Sequence, residues 1–243
     1  MTSEIVDLNI VPDNQNLFGG KAVTLSKLLK HGLSVPQGFV ISSNCYHDYI
    51  HNTLNENVFS DEVYKWLDKI GIKDECIVRS SANFENTKEC DCPGIFESYV
   101  CHDRKNIVTV IKQVWDSTTA NLARSFFHNS LLLKELRMAV IVQHIKIGNY
   151  NLVIQSHDMI EDKNRIIIEF CEGEINSIVD DIQNASLCYI NYDNENQTEC
   201  PVDLPFEQIK SDCRLIESII GGKAEIEAQI ADKKIWYLQA RAV

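Results

Sequence analysis

Glu225, Glu227, Gln239 and Arg241 put two carboxylates, an amide and a guanidinium close together near the end of the 243-residue chain. Carboxylate and amide oxygens are the donors that a hard divalent cation takes. A guanidinium fork suits phosphate oxygens. The residues around these four alternate between apolar and polar, so 224–230 and 235–241 read as two strands flanking a short polar turn. On that period Glu225, Glu227 and Gln229 share one face, and Tyr237, Gln239 and Arg241 share one face. With a loop of 232–234, Glu227 stands opposite Gln239 and Glu225 opposite Arg241. Such a patch can hold a metal ion and a polyphosphate. The same pattern also describes a solvated face with a cross-strand salt bridge.

Two further cations stand at places suited to anions. Lys21 follows Gly19-Gly20 and opens an apolar stripe of Ala22, Leu25, Leu28 and Leu29. Main-chain N–H groups at that helix start, with the ammonium, can hold phosphate; simple capping fits the same residues. The spacing is not that of a Walker A loop. Arg79-Ser80-Ser81 follows the apolar strand 75–79 and offers a fork and two hydroxyls at a strand end. Either a phosphate site or a turn with a surface salt bridge suits them. The next segment, 82–98, contains Pro93-Gly94 and reads as a loop able to fold over phosphates.

The elements that must position these groups are legible in outline. A helix runs from Gly20 to about Gly32, which can cap it. Val35-Pro36-Gln37-Gly38-Phe39-Val40-Ile41 reads as a turn into a short strand. Asn44 can cap a helix carrying Tyr46, Tyr49 and Ile50, and a second helix spans about 61–70, stopped by Gly71. Residues 107–136 are helical, with Ile107, Val110, Ile111, Val114 and Trp115 on one stripe and a break near 116–118, where Ser117 or Thr118 can recap. From Met138 the pattern turns to strands: 138–145, 152–155, 165–170, 175–179 and 187–192. A helix over about 205–220 precedes the terminal hairpin. Helices with strands, followed by a largely antiparallel sheet, predict an α+β protein of two lobes, 1–136 and 137–243.

Composition removes several classes of function. A net charge of −12, with no dense Lys/Arg stripe, argues against a nucleic-acid surface. No apolar run approaches the length of a membrane span. The acidic start, 1–7, lacks a signal pattern, which predicts a cytoplasmic protein. Nine cysteines at irregular spacing contain no pair of Cys-x-x-Cys knuckles, so a structural zinc site is not expected. Cys76 and Cys188 read as small core residues. Cys90-Asp91-Cys92 reads as loop thiols.

Six segments fall in a recognisable order: Gly19-Gly20-Lys21-Ala22; Gly32 to Phe39; Val78-Arg79-Ser80-Ser81-Ala82; the Pro93-Gly94 loop; Val140-Ile141-Val142-Gln143; and Tyr237-Leu238-Gln239-Ala240-Arg241. With them the chain resembles the N-terminal ATP-binding domain of the phosphoenolpyruvate synthase and pyruvate phosphate dikinase family, over nearly its whole length. The resemblance implies an ATP-grasp-like fold with mixed, largely antiparallel sheets, binding ATP and Mg2+ between two lobes. It implies Lys21 and Arg79 as phosphate-binding cations, with Ser80 and Ser81 beside them. It implies Glu225, Glu227 and Gln239 as metal-site residues, Arg241 as a phosphate-site residue, and Gln143 near the adenine pocket. Lys21, Arg79 and Arg241 are then the residues expected to act on the transferring phosphoryl group.

The family's reaction moves a phosphoryl group from ATP to a histidine on a swivelling domain. Ser156-His157 lacks the glycines of that motif and reads as a strand-end or surface histidine, so the acceptor is expected on a separate protein or domain. The family's Gly-Leu-Gly-Glu stretch is here Cys171-Glu172-Gly173-Glu174, and the loop after Arg-Ser-Ser is altered at 83–87. The alternatives are a non-catalytic nucleotide-binding or scaffold subunit, or one split portion of a larger kinase.

Overall fold

The computed structural model describes residues 4–84, 97–124, 136–146, 148–173, 186–192, 200, 204–231 and 233–243, with the backbone alone over 119–124. The Pro93-Gly94 loop, Cys90-Asp91-Cys92, residues 85–87, Glu174, the expected strand 175–179 and the helical stretch beyond 124 lie outside the described residues. The chain forms two compact units, 1–26 with 37–145 and 27–36 with 146–243.

The first unit is built on a five-stranded sheet. Its strands are β1 (Ile5–Asp7), β2 (Gly38–Ile41), β3 (Cys76–Ala82), β4 (Ser98–Cys101) and β5 (Met138–His144), in the order β1-β2-β5-β3-β4. Every neighbouring pair is antiparallel. Helices α2 (Ser43–Ile50), α3 (Glu56–Ile70) and α4 (Ile107–Arg124) supply Tyr46, Val63, Leu67, Ile111 and Trp115 to one core with Phe39, Val78 and Val140 of the sheet. Since successive strand residues point to opposite faces, the core takes Cys76, Val78 and Ala82 from β3. Ile77, Arg79 and Ser81 take the other face.

Several boundaries differ from the sequence reading for local reasons. Asn55 accepts from Val58 N and starts α3 five residues before the expected Asp61. Helix α2 begins at Ser43, after Ser42, so Asn44 is not its cap. Helix α4 does not break at 116–118. There Ser117 Oγ and Thr118 Oγ1 donate to the carbonyl of Val114, at 2.8 and 3.0 Å, rather than recapping a new helix. Strands β1 and β4, three and four residues long, carry too short a pattern to be foreseen. Helix α1 (Gln15–Lys30) includes the expected start at Gly20, with one earlier turn joined to it across Gly19.

The second unit holds β6 (Tyr150–Gln155), β7 (Arg165–Glu172), β8 (Ser186–Asn191), β9 (Ala224–Ala231) and β10 (Lys234–Ala242), in the order β10-β9-β6-β7-β8, again antiparallel throughout. Helix α5 (Phe206–Ile220) packs on β9 and β10 and buries Ile209, Cys213 and Ile216. Its apolar stripe meets the face of Ile154, Ile168 and Ile226, all fully buried. Cys76 and Cys188 are core residues as expected. Two antiparallel sheets with five α-helices among the described residues make the chain an α+β protein. Among the described residues no helix is long and apolar enough to cross a membrane.

Candidate functional site

Two groups of polar side chains answer to the sequence-derived residues, one in each unit. In the first, Gly19 breaks α1 at φ 75° and ψ 163°, a conformation that only glycine adopts readily. A Cβ there would stand 2.1 Å from the main-chain oxygen of Ser81. The helix that resumes at Gly20 is tied to β3 at this point. Ser81 Oγ accepts from Ala22 N at 3.0 Å and donates to the carbonyl of Phe18 at 2.9 Å. A strand hydroxyl thus serves one of the open N–H groups at a helix start. Lys21 Nζ donates to the carbonyl of Ser80 at 3.0 Å.

Arg79, Ser80 and Ser81 do not form an exposed turn at the strand end. They lie inside β3, and Lys21 and Arg79 are each only 7 % exposed. The apolar run continues through both serines because their hydroxyls are small enough to be buried against α1 and the core. Alternation then separates them. Arg79 and Ser81 share the face of Gln143, which stands opposite Ile77 in β3. Ser80 turns to the core face, where its Oγ is buried without a hydrogen-bond partner. Its carbonyl, rather than its hydroxyl, meets Lys21. Gln143 is fully buried on β5 opposite Gly38, whose missing side chain leaves room for it: a Cβ at Gly38 would stand 2.6 Å from Gln143 Cγ. Burying a cation costs several kcal/mol unless partners or ligands compensate it, so Lys21 and Arg79 are kept inside the unit at a price.

In the second unit the hairpin pairs Gln239 with Glu227 and Arg241 with Glu225. The expected partners are met by a different route. Lys234 already pairs with Ala231, so the turn is two residues, 232–233, rather than three; Lys233 has a φ of 60°. An irregularity between Tyr237 and Gln239 then adds back the missing residue, a β-bulge at Leu238. The bulge also corrects one expectation. Tyr237 does not share the face of Gln239 and Arg241. It is buried on the helix side, and its hydroxyl donates to Asp212 Oδ2 of α5 at 2.6 Å. Burial and the neighbouring Asp212 carboxylate push the Tyr237 phenol well above its ordinary pKa.

The opposite face carries Glu225, Glu227, Gln239 and Arg241 together. Arg241 Nε donates to Glu225 Oε1 at 2.7 Å. Gln155 flanks Glu225 on β6, and Glu169 lies across Val153 from Glu227 on β7. The sequence reading passed over both, although each keeps the two-residue period of its strand. Farther along this face Gln229 Nε2 donates to Asn151 Oδ1 at 2.6 Å, and Asn151 Nδ2 donates to the carbonyl of Gly173 at 2.8 Å. Among the described residues no three His, Cys, Asp or Glu side chains form a metal cluster. A cation at the hairpin would draw on two carboxylates and the Gln239 amide oxygen. All three are oxygen donors, which fits Mg2+ rather than a softer metal.

Ser156-His157 closes β6. Ser156 is fully buried, donating to Glu217 Oε1 at 2.7 Å and accepting from Ala224 N at 2.8 Å. His157 Nε2 lies 3.1 Å from Asp162 Oδ1. This serine is a brace between β6, α5 and β9, and the histidine ends a strand.

Fold and site define an α+β chain with two buried cations in one unit and a hairpin bearing carboxylate, amide and guanidinium groups in the other. The family of the pyruvate phosphate dikinase AMP/ATP-binding domain matches residues 15–68 and 59–199. The chain belongs to that family. It is 24% identical to the uncharacterized phosphotransferase YvkC of Bacillus subtilis (strain 168), over 95% of this chain and 34% of that protein. It is 24% identical to the phosphoenolpyruvate synthase of Aeropyrum pernix, over 65% of this chain and 24% of the other. The prodigiosin synthesizing transferase PigC of Serratia marcescens is 24% identical, over 93% of this chain and 31% of its own. The chain thus spans about a third or less of the length of these relatives. An L-amino acid ligase from Bacillus licheniformis superposes with a TM-score of 0.48 at 12% identity, over 94% of this chain and 43% of the ligase. At that distance the likeness adds nothing to what the strand order shows.

Proposed function

We propose that the chain is the ATP-binding component of an ATP-grasp-like phosphotransferase, working from Mg-ATP on a histidine carried by a separate protein or domain. The observation that carries this reading is the pair of buried cations, Lys21 and Arg79, held by β3 and the helix start at Gly20 in a chain of the AMP/ATP-binding family. In this reading Lys21, Arg79 and the N–H groups at Gly20 take phosphate oxygens, with Arg241 as a third cation. Gln143 offers its amide to the adenine. Glu225, Glu227 and Gln239 hold Mg2+, which when bound supplies charge neutralisation on the phosphates. Fixed cations that meet charge as it develops on a transferring phosphoryl group lower its barrier without moving. A neutral imidazole needs no general base from this chain. Relatives that name phosphoenolpyruvate synthase and phosphotransferase activities support the reading, and their greater length leaves room for an acceptor outside these residues.

Calorimetry with Mg-ATP tests it. Lys21→Ala and Arg79→Ala each remove a charge-assisted contact and are expected to weaken binding by about 1.5–3 kcal/mol. Unchanged affinity in both variants refutes the assignment. Phosphorus NMR with and without histidine-bearing partner proteins then separates AMP plus phosphate, ADP, and no turnover. Turnover to AMP is expected to rise when the partner is present. Efficient phosphorylation of a small molecule by the chain alone refutes the need for one.

A further inference from the structure

Helix α2 carries His47, one of the seven histidines, and His51, four residues on, is its C-cap. Residues four apart lie on one helix face. Here the two imidazole rings lie side by side and tilted, with centroids 4.2 Å apart and planes inclined by 31°. Both side chains are exposed, on the face turned away from the core residues Cys45 and Tyr46.

The far side of the His51 ring is already oriented. His51 Nδ1 lies 2.8 Å from the carbonyl of His47. A carbonyl only accepts, so Nδ1 carries the proton and Nε2 keeps its lone pair. His47 Nδ1 faces Asp48 Oδ1 at 3.6 Å, and that carboxylate is itself held by Thr53 Oγ1 at 3.2 Å. A carbonyl accepting from the far nitrogen of an imidazole is an arrangement that orients a histidine as a metal ligand. The pair also stands at the C-terminal end of α2, where the open carbonyls favour a cation.

We propose that His47 and His51 chelate a borderline divalent transition cation, of the Ni2+ and Zn2+ class, through their Nε2 atoms. Two imidazoles select such ions over Mg2+ or Ca2+, which take oxygen donors. No third His, Cys, Asp or Glu joins them among the described residues, so water completes the coordination sphere. The site is separate from the nucleotide residues and does not depend on them.

The test is titration of the full chain with NiCl2, a probe that thiols do not reduce, followed by calorimetry and by NMR of the imidazole protons, then repeated with ZnCl2. Wild-type protein is expected to bind an equivalent of Ni2+ that broadens the His47 and His51 signals together. His47→Ala and His51→Ala are each expected to weaken that equivalent by at least about tenfold, the lower end of what even outer-shell partners are worth. Both residues are exposed, so the fold is expected to survive. His47→Gln with circular dichroism checks this and is expected to lose the equivalent as well. Absence of a bound equivalent, equal binding in both alanine variants, or loss in only one of them overturns the chelate. Ni2+ binding not matched by Zn2+ under the same substitutions overturns the ion class.

Discussion

Gly19→Ala concentrates the local physics of the first unit in one methyl group. The new Cβ would lie 2.1 Å from the Ser81 carbonyl oxygen and 2.3 Å from its Oγ. The hydroxyl can rotate away, but the carbonyl belongs to a paired strand and cannot. An alanine at φ 75° and ψ 163° also occupies a region essentially reserved for glycine, a strain of about 1–3 kcal/mol. Relieving it means moving the helix start off β3, which breaks both hydrogen bonds of Ser81 Oγ, each worth about 0.5–1.5 kcal/mol. The expected loss is therefore about 2–6 kcal/mol, a large part of the roughly 5–15 kcal/mol that holds a domain folded. Urea denaturation followed by tryptophan fluorescence measures it, with fully buried Trp115 reporting on this unit. Ser81→Ala provides the comparison, because it removes the two hydrogen bonds and leaves the carbonyl. It should cost about 1–3 kcal/mol. The double variant should fall short of the sum by about the shared hydrogen bonds, yet remain less stable than Ser81→Ala. A loss below about 0.5 kcal/mol for Gly19→Ala, or a double variant no worse than Ser81→Ala, refutes the reasoning.

Two further outcomes follow from the second unit. Tyr237→Phe keeps the buried ring and removes the donor to the Asp212 carboxylate; it should lower stability by about 1.5–3 kcal/mol in urea denaturation, and an unchanged midpoint contradicts the role given to this bond. Glu217 is pushed up by burial, but hydrogen bonds from Ser156, Lys223 and Arg214 outweigh this and hold its carboxyl below the ordinary 4.5. A depressed folded pKa means that the unfolded chain binds more protons below 4.5, so this stabilisation is present above that pH and is lost as pH falls through the folded value. Urea midpoints taken between about pH 6 and pH 3 should decline on the acid side, less steeply in Ser156→Ala, and equal slopes in the two proteins contradict the assignment.

Much of this architecture was legible because burial imposes period. The stripe from Ile107 to Trp115 and the alternation in 224–230 each report which side meets the core, and the structure buries those sides. Other features left no such trace. The five apolar residues from Met138 to Val142 are all buried, so alternation is absent and nothing in their pattern says which sheet they join; the structure pairs them with β2 and β3. Arg79-Ser80-Ser81 read as the end of a strand, either a phosphate site or a turn, because polar residues usually face water. Two of the three are instead held by contacts distant in sequence, Lys21 to Ser80 and Ala22 to Ser81, which no local window contains.

The terminal hairpin shows how the same pairing can arise from different geometry. A three-residue loop with unbroken alternation and a two-residue turn with one bulged residue both place Gln239 opposite Glu227 and Arg241 opposite Glu225. They differ at Tyr237. Unbroken alternation would carry Tyr237 to the polar face with Gln239, away from α5. The extra residue at Leu238 lets Tyr237 point inward to Asp212 while Gln239 and Arg241 point outward. A strand of period two cannot send residues two apart to opposite faces without such an insertion. The bulge therefore lets one strand serve two demands: an inward tyrosine bonded to α5, and an outward row of oxygen and guanidinium groups. Bulges concentrate where a strand must re-aim a side chain, and this one falls between the inward Tyr237 and the outward Gln239 and Arg241.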